Sequence, residues 1–407
     1  MPLVSSAPAL DKCRMQPAPN GDDSVDGRPA VVIFRAPLFN ASETFVRAHA
    51  SGLKRYRPLL AGLEDKGNIP SDLNASTFLP RNWAERQRAR LGAVEWLASR
   101  LQPELPRLVH AHFGPDGLTA LGLARRLNIP LVTTLHGYDV SRTGRALLLS
   151  GRLSWMRYAL GHERLIRGGD LFLAVSDALR AMAIGVGYPA ERTLTHYIGV
   201  DLASFSPPGS RDGATILHVG RLVEKKGTAQ LLVAFARVKA AHPDATLVII
   251  GAGPLRASLE RLAGQLELGE AVKFLGAQPQ SVVGKWMRRA AVLAVPSLPA
   301  RDGDVEGLPT VVLEAAASGL VVVGSNHSGI PEAITDGHSG FVVPEGQVEP
   351  LSVRLIELLA SSELRRSMGV AGRALAEERF DRRIQVERLE RLYDTMAQRT
   401  PLTPRGL

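Results

Sequence analysis

Short apolar runs recur along the chain, and helical patterns separate them. This alternation is typical of repeated β-α units around a parallel sheet. The predicted strands are 30–35, 107–114, 130–137 and 170–176 in a first half, and 215–222, 245–253, 272–277, 291–297 and 319–326 in a second. At 407 residues the chain exceeds the usual size of one core. We therefore expect an α/β protein with two Rossmann-like domains, whose parallel sheets face a central cleft.

A Pro-Pro turn within residues 199–213 marks the expected hinge between the halves. We place a first domain at 29–205 and a second at 206–379. The segment 380–407 is predicted to form a helix that packs back across the domains. Its apolar stripe consists of Phe380, Ile384, Leu389, Leu392 and Met396. Residues 1–28 are rich in Pro, Ser, Asp and Gly and lack the pattern of an export signal, so we expect a disordered tail.

The net charge of +9 suggests an anionic partner. Only 5% of the residues are aromatic and no RNA-binding or zinc-finger signature occurs, so nucleic acid is not the expected partner. Cys13 is the one cysteine and cannot form an intramolecular disulfide. No apolar run approaches the roughly 20 residues that span a bilayer. These features predict a cytoplasmic protein, with peripheral attachment to the membrane as an open alternative.

Residues 81–100 carry five arginines against two glutamates, with apolar residues at helical spacing. Such a segment could lie on anionic lipid headgroups. The alternative, which we slightly favour from the sequence, is a solvated helix that packs on its own domain.

The stretch DGDVEGLPTVVLEAAASG, residues 302–319, places two glutamates around a turn. Pro309 and Gly319 suit the start and the end of a helix over about 309–318. Because nearly its whole circumference is apolar, we expect Glu314 to be buried, where a carboxylate needs hydrogen-bond donors or a cation. The hydroxyls of a ribose would supply such donors. Glu306, on the preceding turn, could face a ligand's hydroxyls. The alternative is a capped helix whose glutamates meet Lys or Arg.

The stretch HVGRLVEKKG, residues 218–227, places two cations just after a predicted strand. Arg221 can hold phosphate oxygens bidentately, and Lys226 adds a compact charge, so the pair could stabilise a departing pyrophosphate. A solvated basic turn is the alternative.

Two pairs of residues have side chains of the types that bind metals. Asp302 and Asp304 could hold a hard cation through oxygen, with a solvated acidic turn as the alternative. His110 and His112 alternate on a strand, and we expect them to face opposite sides and to share no metal. Because Arg221 and Lys226 already supply positive charge, the sequence predicts no required metal and no other cofactor.

Five phrases occur in order, namely GRLVEKKG, GAGPL, FLGAQP, EGLPTVVLEAAASG and GSNHSGIPEAITDGHSGFVVP. Together they resemble the donor domain of the family 4 retaining glycosyltransferases, which have the GT-B fold. HGYD at 136–139 and YIGVDLASF at 197–205 extend the resemblance, which covers nearly all of residues 30–400. NASETFVRAHA, DGDVEGLP and HSGIPE are similar to exopolysaccharide transferases of the colanic acid type.

The resemblance implies roles for single residues. Arg221 and Lys226 would contact the donor diphosphate. Glu306 would face the donor sugar and Glu314 the ribose. The resemblance also implies that the backbone of Gly307 and Leu308 and the side chain of His136 contact the donor sugar.

One phrase departs from the family pattern. Many relatives carry a Gly-Gly loop after the first strand, whereas this chain has PLFNASETF, so phosphate contacts from that loop are not expected. Ser42 and Glu43 could read the acceptor instead.

The resemblance thus implies sugar transfer with retention from a nucleotide sugar, a UDP-sugar ahead of GDP-mannose, to a polyprenyl-diphosphate-linked glycan. A sugar phosphorylase or epimerase on the same fold is an alternative, as is an inactive scaffold that binds polysaccharide or nucleic acid.

Overall fold

The computed structural model describes residues 26–40, 43–67, 69, 73, 75–207, 211 and 213–398. Most of the tail predicted at 1–28 lies outside these residues, as do Ser42, part of the expected hinge and the end of the predicted C-terminal segment.

The first half of the chain forms a parallel sheet covered by helices. Its strands are β1 Ala30–Phe34, β2 Pro37–Leu38, β3 Arg57–Ala61, β4 Glu64–Asp65, β5 Ser76–Phe78, β6 Leu108–His112, β7 Leu131–Leu135, β8 Leu171–Ala174 and β9 Thr193–Thr195. Its helices are α1 Thr44–Gly52, α2 Trp83–Arg90, α3 Glu95–Leu101, α4 Gly114–Leu127, α5 Tyr138–Ser141, α6 Gly144–Leu148, α7 Leu153–Gly168 and α8 Asp177–Gly185. The strand order is β5-β3-β1-β6-β7-β8-β9, and β2 pairs separately with β4.

The second half forms another parallel sheet. Its strands are β10 Thr215–Val219, β11 Thr246–Ile250, β12 Val272–Phe274, β13 Val292–Val295, β14 Val322–Ser325 and β15 Gly340–Val343. The helices that follow along the chain are α9 Thr228–Ala241, α10 Arg256–Gln265, α11 Gln280–Arg289, α12 Thr310–Ala317, α13 Val348–Ala360, α14 Ser362–Arg379 and α15 Arg382–Gln398. The strand order is β12-β11-β10-β13-β14-β15.

The central strands are apolar because helices cover both faces of each sheet. Every residue of β1, β6 and β7 is buried, which explains why these strands read as continuous apolar runs. Each predicted strand is present, and all of them are shorter than predicted. The predictions omitted β3, β5, β9 and β15, which lie towards or at the sheet edges, and the separate short pair β2 and β4.

Each sheet has a point at which the strand order reverses. These points lie between β1 and β6 in the first sheet and between β10 and β13 in the second. Ligands of open α/β sheets bind outside the carboxyl ends of the strands at such reversals. Residues that follow β1, β6, β10 and β13 line one cleft between the sheets. The prediction of two Rossmann-like domains around a cleft is therefore confirmed.

The chain crosses between the two sheets twice. Between β9 and β10 it passes Val200, and after α14 it returns at Asp381, where the two segments pair: Val200 N–H donates to Phe380 O at 2.8 Å, and Arg382 N–H donates to Val200 O at 3.0 Å. The predicted domain boundaries fall within these crossings and remain predictions.

After the second crossing, α15 packs against the first sheet. Val386, Leu389, Tyr393 and Met396 join one buried cluster with residues of β1 and β6. Tyr393 was absent from the apolar stripe predicted for this helix. Within the described residues, no helix combines the length and the apolar character needed to cross a membrane.

Candidate active site

A cleft of about 850 Å³ separates the two domains. Its walls include every predicted site residue within the described part of the chain, namely Glu43, His136, Arg221, Lys226, Glu306, Gly307, Leu308 and Glu314. Ser42 lies outside the described residues. The fold thus brings together residues that are up to 271 positions apart in sequence, from Glu43 to Glu314.

Glu306 is buried in the second domain beside two lysines. Its Oε1 lies 3.0 Å from Nζ of Lys226 and 3.8 Å from Nζ of Lys225. Burial alone would raise the pKa of this carboxyl, but Lys226 and Lys225 together lower it to about 2. Glu306 is therefore a carboxylate at any physiological pH, and it neutralises part of the charge of the lysines.

A histidine fixes the turn that carries Glu306. The backbone N–H of Glu306 donates to Nε2 of His327 at 3.2 Å, and Nδ1 of His327 lies 2.8 Å from Oε1 of Glu345. Because Nε2 accepts, Nδ1 must carry the proton of the neutral ring and donate to Glu345. His327 lies within one of the five phrases that resemble the family, GSNHSGIPEAITDGHSGFVVP, but the sequence predicted no role for it.

Arg221 differs from the lysines beside it. It is exposed, lines the cleft, and forms no ion pair with a carboxylate in the described part of the chain. It lies two residues after β10, at the carboxyl end of the strand where a ligand would lie. Its guanidinium is therefore available to an anion that enters the cleft.

The helix predicted at about 309–318 is α12, and its position is confirmed. The expected burial of Glu314 is wrong in degree, because the residue is half-buried where its side of the helix opens into the cleft. Nε2 of Gln280 donates to its Oε1 at 3.1 Å. Desolvation nevertheless raises the pKa of Glu314 to about 7. Glu314 thus lacks the cation that Glu306 has, and it would gain from further hydrogen-bond donors.

The domains touch through backbone at the base of the cleft. A Cβ atom at Gly307 would collide with the carbonyl oxygen of His136 and lie 2.7 Å from Cγ2 of Val175. Gly137, with φ of 143°, approaches the carbonyl of Val305, which a Cβ would meet at 2.9 Å. Only glycines allow this contact, which sets the distance between His136 and the Glu306 turn.

His136 is held rigidly at the first-domain wall. The buried carboxylate of Asp139 accepts from the backbone N–H of His136 at 3.1 Å and of Gly137 at 2.8 Å. The rings of Phe45 and Phe113 lie with centroids 4.5 and 4.4 Å from the imidazole. Burial lowers the pKa of His136 well below its usual value, so the ring is neutral.

Glu43 lines the cleft but is already paired. Its two oxygens accept from Nε and Nη2 of Arg35 at 2.9 and 2.7 Å, and Arg35 also meets Asp116 at 2.6 Å. The two carboxylates and Arg35 form a nearly buried network at the end of β1. The suggested contact between Glu43 and an acceptor stays a prediction.

The prediction of a solvated acidic turn is wrong for Asp304. It is buried, and its carboxylate lies 3.0 Å from Nζ of Lys225 and 3.1 Å from Nη2 of Arg142. Asp302 is more exposed and also pairs with Arg142, at 2.9 Å. Since Arg142 belongs to the first domain, these ion pairs join the two walls of the cleft. No local pattern in the sequence indicated a role for Lys225 or Arg142.

The prediction that His110 and His112 face opposite sides is wrong. Residues two apart on a strand share a face, and these imidazoles stack with centroids 4.9 Å apart. His49 joins them, and each of the three offers a nitrogen within 4.8 Å of the others. The residues form a buried histidine cluster behind His136.

Two family models divide the chain between them. The model "Glycosyltransferase Family 4" matches residues 42–204, and "Glycosyl transferases group 1" matches residues 203–375. The amylovoran biosynthesis glycosyltransferase AmsK of Erwinia amylovora is 31% identical over 328 residues, which are 79% of this chain and 78% of AmsK. The chain belongs to the family 4 glycosyltransferases.

WcaL of Escherichia coli, named for colanic acid biosynthesis, is 36% identical to this family 4 glycosyltransferase over 251 residues. The match covers 60% of the chain and 59% of WcaL, so the chain spans about three fifths of that relative's length. The resemblance to exopolysaccharide transferases is therefore confirmed.

Solved structures share the fold at low identity. HepE of Anabaena, crystallised with UDP, has a TM-score of 0.73 and 20% identity, and the match covers 90% of this chain and all of HepE. Sucrose-phosphate synthase of Thermosynechococcus elongatus has a TM-score of 0.72 and 19% identity, with 90% and 99% covered. The GT-B architecture of this family 4 glycosyltransferase follows from both.

Gly307→Ala tests the backbone contact at the base of the cleft. The added methyl group collides with the His136 carbonyl, so the two walls must separate, and we expect a loss of about 1 to 3 kcal/mol in the free energy of unfolding. Gly122→Ala is the control, since Gly122 lies in α4 with open space around it, and alanine is the better helix former. Equal stability of the two variants, measured by denaturant unfolding, would contradict the contact.

Proposed function

We propose that this protein is a retaining glycosyltransferase that moves a sugar from a nucleotide sugar to a lipid-linked oligosaccharide in exopolysaccharide biosynthesis. One observation carries the proposal: Arg221 lines a cleft without a carboxylate partner among the described residues, while Lys226 and Glu306 form an ion pair on the same wall. An anion with an attached polar group complements this wall, and a sugar diphosphate is such a ligand.

The leaving group determines what the cations do. When the bond between the sugar and the diphosphate breaks, negative charge develops on the phosphate oxygens. Arg221 and Lys226 stabilise that charge from fixed positions, and a partly enclosed cleft strengthens the effect. No divalent metal is required in this proposal, because the nearby carboxylates of Asp302 and Asp304 are matched by Arg142 and Lys225.

The sugar develops positive charge as the leaving group departs. Glu306 stays ionised beside Lys226 and supports that charge, while the backbone of Gly307 and Leu308 and the ring of His136 surround the sugar. The acceptor hydroxyl attacks from the face that the diphosphate leaves, and the leaving phosphate takes its proton. This course retains the configuration at the anomeric carbon without a covalent intermediate on the protein.

The donor is a UDP-sugar or GDP-mannose. UDP is bound in the HepE crystals, whereas a Corynebacterium glutamicum relative, 38% identical over 281 residues, is named as a GDP-mannose-dependent mannosyltransferase. A panel of nucleotide sugars, screened for thermal stabilisation of the purified protein, distinguishes them. A ligand present at about 100 times its Kd adds about 2.7 kcal/mol to stability.

The cation pair is tested by turnover. We expect Arg221→Ala and Lys226→Ala each to lower kcat by about two to three orders of magnitude, because each removes charge that acts on the leaving group. Arg261→Ala, an exposed arginine of α10 outside the cleft, is the control and keeps full turnover. The assay follows sugar transfer from the donor that the panel selects, with and without a chelator. Normal turnover in both cleft variants would reject the proposal, and loss of transfer in chelator with rescue by magnesium would reject its metal-free form.

The two glutamates differ in how their loss changes nucleotide binding. The pKa of Glu314 is about 7 in the free protein, and ribose hydroxyls that donate to it favour the ionised form. Binding therefore releases a proton, and the affinity for nucleoside diphosphate falls about tenfold as the pH falls from about 8 to 6. Glu314→Gln should lose the part of this pH dependence that comes from Glu314, and it should bind nucleoside diphosphate more weakly than the wild type at high pH. Glu306→Gln should keep the pH dependence of binding but lose turnover, because the charge of Glu306 acts in the transition state.

Calorimetric titration of the three proteins with one nucleoside diphosphate separates these effects. The ligand's own phosphate titration is common to all three and cancels in the comparison. A pH dependence that is identical in wild type and Glu314→Gln would contradict the ribose contact.

The outer face of the first domain is the proposed site of membrane contact. Leu91, Leu153 and Leu160 are exposed there, and a groove that Leu91 and Leu160 share with arginines lies between α4 and α7. Arg125, Arg157 and Arg164 line this groove with Leu91 and Leu160, and Arg86, Arg88 and Arg90 are exposed on α2, which ends just before Leu91. Apolar side chains rimmed by arginines fit an anionic lipid surface at the cytoplasmic face, where a lipid-linked acceptor would lie.

Vesicle co-sedimentation tests this face. Replacement of Arg86, Arg88 and Arg90 by Gln should weaken binding to vesicles rich in phosphatidylglycerol, since each basic residue near the surface contributes roughly 1 kcal/mol. The control replaces Arg261, Arg366 and Arg388, which are exposed on the second domain and on α15, and has the same net charge. Salt weakens binding of the wild type because it screens exposed charges. Equal binding by both triple variants would exclude this face.

A further inference from the structure

A continuous row of hydrogen bonds runs from the cleft into the first domain. Nε2 of His136 lies 3.1 Å from Nδ1 of His112, and Nε2 of His112 lies 2.9 Å from Nδ1 of His49. Nε2 of His49 in turn lies 2.8 Å from the hydroxyl of Tyr393 on α15. The row therefore joins a residue of the cleft to the helix that returns from the second domain.

The row continues beyond Tyr393. The same hydroxyl contacts Nδ1 of His110, and Nε2 of His110 lies 2.7 Å from Oγ1 of Thr134. Thr134 is buried, and no second partner for its hydroxyl exists among the described residues. Both ring nitrogens of His49, His110 and His112 thus have partners in the protein.

The histidines of the row are neutral. They are withdrawn from water, which lowers the pKa of His49 to about 3 and the pKa values of His110, His112 and His136 well below the usual range. A neutral imidazole has one N–H donor and one bare acceptor nitrogen. Each ring in the row must therefore donate on one side and accept on the other.

The Tyr393 hydroxyl couples the direction of the hydrogen bond to His49 to the direction of the hydrogen bond to His110. This hydroxyl has one proton and two histidine partners, so it donates to one and accepts from the other. All the protons in the row must then point in the same direction. Only two arrangements exist: every donor points towards His136, or every donor points towards Thr134.

Thr134 distinguishes the two arrangements. If the donors point towards His136, the Thr134 hydroxyl donates to His110. The one donor left without an acceptor in the row is then Nδ1–H of His136, at the cleft. If they point towards Thr134, its hydroxyl proton is surplus instead and has no other acceptor among the described residues. A buried donor without an acceptor is unfavourable, so the first arrangement is preferred.

We infer that Thr134, His110, Tyr393, His49 and His112 are positioning residues that hold His136 as the Nδ1–H tautomer. Nδ1 of His136 has no hydrogen-bond partner among the described residues, and the side chain lines the cleft. His136 then offers a fixed, uncharged hydrogen-bond donor to an oxygen of the ligand. That this oxygen belongs to the donor sugar rests on the proposed function.

Tyr393→Phe interrupts the row without changing the shape of the side chain. His110 and His49 lose their common partner, and the histidines on the cleft side no longer share a direction with Thr134. We expect His136 to be a single Nδ1–H tautomer in the wild type and a mixture in Tyr393→Phe. NMR of protein with ¹⁵N-labelled histidine side chains measures the tautomers directly, with His136→Gln as the means of assignment.

Tyr56→Phe is the matched control. The ring of Tyr56 packs edge-on against Tyr393 with centroids 5.3 Å apart, but its hydroxyl donates to Asp394 and lies outside the row. This variant should keep the wild-type tautomer at His136. In the transfer assay, Tyr393→Phe should lower kcat about tenfold, the effect of one lost hydrogen bond, with unchanged affinity for nucleoside diphosphate.

Several results would overturn the inference. Nε2–H at His136 in the wild type would mean the opposite direction, with a water in the cavity of about 60 Å³ beside the row accepting from Thr134. The same tautomer in wild type and Tyr393→Phe would show that the row does not control His136. Stoichiometric zinc on His49, His110 and His112 in the purified protein would replace the row by a metal site. Because tautomers are measured in the free protein, a failure of the proposed function leaves this test intact.

Discussion

The site depends on the contact between the backbones of Gly307 and His136. Two sheets that folded independently would place their carboxyl ends at an arbitrary distance. Here the chain after β13 lies against the chain after β7, and Gly137 and Gly307 leave no side chain between them. The ion pairs of Arg142 with Asp302 and Asp304 add a second connection at the cleft. The separation of the walls is therefore set mainly by a direct contact between backbone atoms, and side-chain ion pairs support it.

Charge is arranged unevenly within this frame. Lys225, Lys226, Glu306 and Asp304 compensate one another, and the turn that holds them is fixed by His327. On the same wall Arg221 and Glu314 are not compensated in this way, since Arg221 has no carboxylate partner among the described residues and desolvation raises the pKa of Glu314. A ligand with an anionic group and hydroxyl donors would supply a partner to each, the anion to Arg221 and the hydroxyls to Glu314. The charge pattern of this wall is thus complementary to that of the proposed nucleotide-sugar ligand.

Local patterns were sufficient to predict much of this arrangement. Apolar runs located the central strands, and the Pro309 and Gly319 signals located α12, because those features depend on neighbouring residues. The same kind of local pattern singled out Arg221, Lys226, Glu306 and Glu314, and the fold places all four on one cleft, while their roles remain predictions. Contacts between distant residues were not predictable: Lys225 and Asp304 are 79 positions apart, and His110 and Tyr393 are 283 apart. The error about His110 and His112 was of another kind, since the two-residue period of a strand already places them on one face.

The double crossing between the domains has a consequence for how the protein is made. Val386, Leu389, Tyr393 and Met396 complete the core of the first domain, yet they are synthesised after the whole second domain. Until α15 has been synthesised, the first sheet lacks the apolar side chains of this helix, whereas every strand and helix of the second domain precedes α15 in the chain. The core of the first domain can therefore be completed only after the whole second domain has been synthesised.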